Sequence, residues 1–131
     1  MLMQVLLVAL GGAAGACARF WLSGVVARRV GETFPWGTLV VNASGALAIG
    51  VLSALLLSPH GVAEGGRALW LALVVGVLGS YTTVSSFSLQ TLALLRAGEG
   101  RHATLNVLAS LLLCLGAAFA GQFLGARLFG G

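Results

Sequence analysis

The sequence predicts an all-α membrane protein in which four helices cross the lipid bilayer. Of its 131 residues 59% are hydrophobic and only 8% are charged, whereas soluble domains carry about 25% charged residues. Apolar runs of about 20 residues, long enough to cross a bilayer, occur at 3–26, 36–58, 67–95 and 103–125. We therefore expect one multi-pass domain over residues 1–131, with short loops.

The first run is expected to pack closely on a neighbouring helix. Gly11, Gly15 and Arg19 follow one another at intervals of four residues, which places them along one helix face. Small residues at such spacing let helix backbones approach in a membrane. No basic residue precedes the run, so we interpret it as a retained helix and not a secretory signal.

The second and fourth runs each carry a polar face. Thr38 and Asn42 are four residues apart, and Asn106, Ser110 and Cys114 follow the same spacing. Such groups could replace water around a small anion, or they could make hydrogen bonds between helices. The second run follows Pro35, which suits the first turn of a helix, and ends at the turn-forming sequence Ser58-Pro59-His60-Gly61.

The third run is expected to be broken in the middle of the membrane. It contains an unusual density of small and hydroxyl residues, namely Gly76, Gly79, Ser80, Thr82, Thr83, Ser85, Ser86 and Ser88. Broken backbone at membrane depth is tolerated only where protein buries it or where it lines a cavity. The alternative is a continuous helix with a small-residue packing face.

The charges exclude several classes of function. All seven basic residues are Arg and lie mostly at the ends of the runs, as membrane anchors do, so no nucleic-acid patch is expected. Glu32, Glu64 and Glu99 lie in predicted loops, which argues against a proton-coupled exporter. Arg19 is the one charge within a run, and it either lines an anion route or reaches the interface.

No enzymatic site is predicted. His60 and His102 are expected in separate loops, and Asp is absent. No Ser has a possible general base at a spacing that would indicate a catalytic nucleophile. Cys17 and Cys114 lie in apolar runs, where a free Cys usually acts as a small buried hydrophobe. We therefore expect a non-enzyme.

The arginines favour one orientation only weakly. Four crossings place both termini and the 59–67 loop on one side, with Arg67 and Arg127, against Arg28, Arg29, Arg96 and Arg101 on the other. A bias of two against four is small under the positive-inside rule. Such a chain could insert both ways, and one compact bundle of this size is expected to oligomerise.

Three motifs together resemble the bacterial fluoride channel family called Fluc or CrcB. They are Gly11-Gly12-x-x-Gly15-Ala16-x-x-Arg19-Phe20, Gly37-Thr38-Leu39-x-Val41-Asn42-x-x-Gly45 and Gly79-Ser80-Tyr81-Thr82-Thr83-x-Ser85-Ser86-Phe87-Ser88. The resemblance implies passive fluoride export across the cell inner membrane, which lowers cytoplasmic fluoride. It further implies an antiparallel, dual-topology homodimer with two pores.

The resemblance also implies the site residues. A structural sodium ion would be held by the backbone carbonyls of Gly79 and Thr82. The fluoride pore would be lined by Asn42, Phe87 and Ser110, with Thr38, Thr83, Val84, Ser85 and Arg19 as further positions. The family has Gly-Gly at Gly79-Ser80 and a second Phe at Val84, so one aromatic ring per pore is missing here.

Two other functions compete with this interpretation. A small four-helix multidrug or guanidinium exporter would be similar in length, but it would be expected to carry an intramembrane Glu. A structural membrane subunit would use the polar break for packing only.

Overall fold

The computed structural model describes residues 1–58, 61–63 and 65–129. Within them, four helical segments are long and apolar enough to cross a membrane. They are α1 (Leu2–Val30), α2 (Trp36–Leu56), a composite third segment (Arg67–Arg96) and α5 (Gly100–Phe129). The prediction of an all-α chain with four membrane-crossing segments is confirmed in this form.

The third segment consists of two helices. We label the first α3: it runs through Arg67–Leu69, continues as a π-helix over Trp70–Leu78 and ends with Gly79–Tyr81. Residues 82–84 are not helical, and α4 (Ser85–Arg96) follows. A π-helix of nine residues is unusual, since most are single-turn bulges, frequently at functional sites.

Helices α1 and α5 extend beyond their predicted ends, whereas α2 ends at Leu56, two residues before its predicted end. Arg28 and Arg29 lie in the last turn of α1 and not in a loop, because the helix continues until Gly31, whose φ of 92° ends it. Arginines there complement the negative end of the helix dipole. Likewise His102 lies in the first turns of α5. Pro35 directly precedes α2, and its carbonyl accepts the N–H of Leu39 at 3.2 Å.

A short hairpin joins α2 to α3. Strand β1 (Leu57–Ser58) pairs antiparallel with β2 (Gly61–Val62), in the register Leu57 to Val62 and Ser58 to Gly61. Gly61 has a φ of 114°. Pro59 and His60 of the predicted turn, and the predicted loop residue Glu64, lie outside the described residues.

Two helix pairs form the interior of the bundle, α1 with α3 and α2 with α5. In the first pair, a Cβ on Gly11 would contact the carbonyl oxygen of Ala72, and one on Gly15 that of Val77. The close packing predicted for this face of α1 is therefore confirmed. In the second pair the residues at the contact are Gly50 of α2 with Gly121 and Gly125 of α5.

Most of the apolar surface faces outward. The buried share of the most apolar window of each crossing runs from 6% in α5 to 28% in α2. A surface this apolar needs an apolar medium, because it would be strongly disfavoured in water. The four helices thus require lipid, a second copy, or both.

Candidate functional site at the interrupted third segment

Asn42 of α2 binds the interruption between α3 and α4 at two points. Its Nδ2 donates to the carbonyl oxygen of Thr83 at 2.8 Å, and its Oδ1 accepts the N–H of Thr83 at 2.8 Å. Backbone groups removed from a helix must find other partners when water is excluded. The side chain of Asn42 supplies that partner for both groups of Thr83.

The hydroxyl of Thr83 forms a hydrogen bond with the first turn of the next helix, α4. Its Oγ1 accepts the N–H of Ser86 at 3.2 Å and lies 3.2 Å from the Oγ of Ser85. This is the usual N-cap interaction, in which a hydroxyl accepts the N–H three residues further on. Thr83 is buried, so the cap holds the start of α4 inside the protein.

These two arrangements take away the usual helical N–H partners of two carbonyl groups. In a continuous helix the N–H of Thr83 would bond to the carbonyl of Gly79, and the N–H of Ser86 to that of Thr82. The first N–H is instead bound by Asn42 and the second by Thr83. Among the described residues neither N–H donates to the carbonyl four positions earlier.

The end of α3 also rests directly on α2. A Cβ on Gly45 would contact the Cγ2 of Thr82, and the Tyr81 hydroxyl lies 2.8 Å from the Oγ of Ser44. The Oγ1 of Thr82 donates to the carbonyl of Leu78 at 2.9 Å. The interruption is thus fixed on α2 by both polar and close apolar contacts.

A cavity of about 680 Å³ adjoins the interruption, between α1, α2 and α4. Its non-aromatic polar side chains are Arg19, Ser23, Glu32, Thr38, Thr83, Ser86 and Gln90. On α4 its wall runs from Ala97 to Ser86, a distance of about 16 Å at the rise of an α-helix. The cavity therefore leads from the end of the bundle that carries Gly31, Glu32 and Ala97, which we call the loop end, to Thr83.

The cavity wall offers hydrogen-bond donors and a positive charge. Arg19 is partly buried in it, and the hydroxyls of Thr38 and Thr83 are on buried residues. Glu32 is the one carboxylate among the described residues that lines it, and it lies at the loop end. Donors and a guanidinium suit an anion better than a cation.

Gln90 belongs to this cavity although the sequence interpretation missed it. Its Oε1 is buried and, among the described residues, is the one buried side-chain N or O atom without a hydrogen-bond partner. The available signal was its spacing, since Gln90 follows Ser86 by four residues and so lies on the same face of the helix. A buried polar group without a partner is costly in a dry interior, so water or an ion in the cavity would stabilise it.

Not every predicted position meets this cavity. Val84 is 76% exposed and does not line the cavity. Ser85 is also outside the cavity wall and is linked to it only by its hydrogen bond with Thr83. Phe87 and Ser110 are partly buried, but they too lie outside the cavity wall. The structure thus places Arg19, Thr38 and Thr83 in the cavity wall, whereas Asn42 lies outside the wall and joins the site through its two hydrogen bonds with Thr83. It leaves the aromatic and α5 positions apart from them within one copy of the chain.

The polar face predicted on α5 is partly used within the chain. Asn106 is buried, and its Nδ2 donates to the Oγ1 of Thr91 at 2.9 Å. That hydroxyl in turn donates to the carbonyl of Phe87 at 2.7 Å. Asn106 therefore fastens α5 to α4 directly behind Phe87.

Comparison with known proteins gives consistent relationships over nearly the whole chain. The family model described as CrcB-like protein, Camphor Resistance (CrcB), matches residues 6–122. A protein of Rhodopseudomonas palustris named fluoride-specific ion channel FluC 2 is 59% identical over 123 residues, which are 94% of this chain and 92% of that one.

Two further relatives have the same kind of name. Fluoride-specific ion channel FluC 2 of Bradyrhizobium diazoefficiens is 50% identical over 126 residues, covering 96% of this chain and 91% of its own length. Fluoride-specific ion channel FluC of Opitutus terrae is 53% identical over 120 residues, covering 89% and 88%. The chain therefore belongs to the CrcB-like family.

Proposed function

We propose that this chain is a fluoride-specific ion channel that lets fluoride leave the cell passively and so lowers cytoplasmic fluoride. The observation that carries the proposal is the match along nearly the full chain to proteins named fluoride-specific ion channels. It is a channel and not an enzyme. The cavity beside Thr83 is the route by which fluoride approaches.

The chemistry of the cavity supports an anion route. A small anion gives up hydration water only if other donors replace it. The hydroxyls of Thr38 and Ser86 and the guanidinium of Arg19 are such donors, and all line the cavity, whereas the hydroxyl of Thr83 already donates to the Oγ of Ser86 at 3.3 Å. Carboxylates, which would repel fluoride, are represented by Glu32 alone, at the loop end.

The interruption of the third segment lies at mid-membrane depth in this proposal. Thr83 has 16 residues of the Arg67–Arg96 span before it (83 − 67) and 13 after it (96 − 83). A span of 30 residues is about 45 Å long, more than the thickness of the hydrocarbon core. With the span centred in the bilayer, Thr83 lies close to the bilayer midplane. Irregular backbone at that depth must face protein or a cavity, and the contacts of Asn42 and the cavity beside Thr83 meet that requirement.

A structural sodium ion at the interruption is part of the proposal. The carbonyl oxygens of Gly79 and Thr82 would hold it, because their usual N–H partners are bound by Asn42 and by Thr83. Oxygen dipoles without carboxylates suit a monovalent ion better than a divalent one. The ion would supply a fixed positive charge at the interruption, and Asn42 would hold the backbone that presents the two carbonyls.

The functional unit is proposed to be an antiparallel homodimer in the cell inner membrane. Phe87 and Ser110 lie outside the cavity of their own chain, so a second copy is the partner that could join them to a complete pathway. The outward-facing apolar surface of α5 offers area for that contact. The weak difference in Arg number between the two ends is compatible with insertion in both orientations.

Release of fluoride from liposomes tests the function. Vesicles containing the purified protein and loaded with potassium fluoride, with valinomycin to balance charge, should release fluoride to an external electrode far faster than protein-free vesicles. Vesicles loaded with chloride should release almost none.

Two results would contradict the proposal. Chloride release at the fluoride rate would remove the specificity. Guanidinium uptake that depends on a proton gradient, with no fluoride release, would favour the exporter instead.

A further inference from the structure

Two arginines stand at the mouth of the cavity, one on α1 and one on α4. Arg28 follows the lining residue Gly24 by one helical turn. Its Nη1 lies 3.3 Å from the position that a Cβ on Gly24 would occupy. The guanidinium of Arg28 therefore reaches back over the cavity wall.

Arg96 has a similar position on α4. It follows the lining residue Ala93 by three positions and directly precedes the lining residue Ala97. Arg28 and Arg96 are both exposed. Within the described part of the chain, neither has a carboxylate within ion-pair distance. We call Arg28 and Arg96 the mouth pair.

Arg29 and Arg101 also lie at this end of the chain but outside the cavity wall, and Arg101 lines a separate groove on α5. Glu32 lines the mouth itself and opposes the mouth pair in sign. At the other end of the chain lie Arg67, the first residue of α3, and Arg127, which packs over the ring of Phe123 with 4.8 Å between its Cζ and the ring centroid. Like the mouth pair, these two arginines are not part of the cavity wall, but they lie at the end of the bundle opposite its mouth.

We propose that the mouth pair gathers fluoride by long-range attraction and so sets the entry rate of the channel at low fluoride. This inference rests on the proposed function. A cleft with charges of one sign at its mouth focuses the field and raises the local concentration of the opposite ion. Because Arg stays charged at every physiological pH, the attraction is permanent, and salt rather than pH controls it.

The test compares variants that differ in the position of the removed charge. Fluoride release is measured from vesicles of neutral phosphatidylcholine at fluoride concentrations far below saturation. Ionic strength is set with an impermeant organic salt at about 0.1 M, where the screening length is about 10 Å, and at about 1 M, where it is about 3 Å. The parent, Arg28→Gln/Arg96→Gln, Arg67→Gln/Arg127→Gln and Glu32→Gln are compared.

The double variant of the mouth pair should release fluoride about threefold more slowly than the parent at the lower ionic strength. At the higher ionic strength the two rates should converge. Glu32→Gln should be faster than the parent at the lower ionic strength only. Arg67→Gln/Arg127→Gln removes the same charge and should match the parent throughout, and in an antiparallel dimer it removes that charge from the same membrane faces.

Three results would overturn the inference. The mouth pair variant could match the parent at both ionic strengths, which would make these arginines membrane anchors only. It could be equally slow at both, which would indicate a structural effect. The variant at the opposite end could be slowed as much. In all three the parent still conducts fluoride, whereas a parent that released none would remove the proposed function itself.

Discussion

At the scale of single residues, Asn42 has two tasks that its amide group can combine. One hydrogen of Nδ2 is donated to the carbonyl of Thr83, while Oδ1 accepts the N–H of the same residue. An amide NH₂ has a second hydrogen, so the role predicted for Asn42 toward fluoride stays open to it. The bonds to Thr83 are the primary task, because they keep the N–H of Thr83 away from the carbonyl of Gly79.

Replacement of Asn42 by Ala should close the interruption partly and reduce fluoride flux on the order of tenfold or more, because two part-buried hydrogen bonds to Thr83, worth about 0.5–1.5 kcal/mol each, are lost. The N–H of Thr83 would then return to the carbonyl of Gly79 and weaken sodium binding. High sodium should therefore rescue part of the flux, measured as fluoride release from vesicles. Ser53→Ala is the control, since Ser53 lies on the same helix about three turns beyond Asn42 and away from the interruption. Parent-like flux in Asn42→Ala would contradict this role.

The residue types of the site were predictable from the sequence, but their partners were not. Arg19, Thr38 and Thr83 were selected as polar groups in apolar runs, and the structure places all three in one cavity wall. The bonds between Asn42 and Thr83 join residues 41 positions apart, a separation that no local pattern encodes. Gln90 was missed because it follows the cluster of hydroxyl residues, although it lies four positions after Ser86, which lines the same cavity.

At the scale of the elements, the contact between α1 and α3 depends on glycine. The backbone of α3 lies so close to Gly11 and Gly15 that a Cβ at either position would contact a carbonyl oxygen. The spacing of four residues predicted this contact. The π-helix opposite was not predictable, because every position of Trp70–Leu78 is apolar or Gly and gives no periodicity from which a helix type could be inferred.

A larger side chain at Gly15 should separate α1 from α3. Gly15→Leu is expected to destabilise the protein by about 1–3 kcal/mol or more, as overpacking does elsewhere. The measurement is the fraction of detergent-solubilised protein that still elutes as folded after heating to a series of temperatures. The matched control is Gly116→Leu, since a Cβ on Gly116 would have open space around it. Equal midpoints for the two variants would contradict the packing described for α1.

At the scale of the whole molecule, the chain is a thin bundle that buries little of itself. Even α2, its most buried crossing, has 28% of its most apolar window inside. Packing within one copy therefore supplies only part of the contacts that a channel wall needs. The apolar runs predicted the number of crossings, whereas the proposed contact with a second copy lies between chains, where no local pattern of one sequence encodes it.

Insertion in both orientations should be detectable by labelling one loop residue. With Cys17 and Cys114 replaced by Ser, Val62→Cys places a thiol in the exposed hairpin between α2 and α3. An impermeant maleimide should label roughly half of the protein in intact cells and the rest after permeabilisation, because the Arg bias is weak. Glu99→Cys, at the opposite end, should also be labelled by roughly half. Labelling of Val62→Cys from one side only would contradict dual topology.

The cavity opens at one end of each chain, the end that carries Gly31, Glu32 and Ala97. In an antiparallel pair, both membrane faces would then present the same mouth, so the channel should not rectify. The concentration difference and the membrane voltage together would determine the direction of flow. A potential of about 100 mV, negative inside, is worth about 2.3 kcal/mol per charge, which holds fluoride inside roughly fiftyfold below its outside level. A cell with such a channel would be protected by its own resting potential, with no other source of energy.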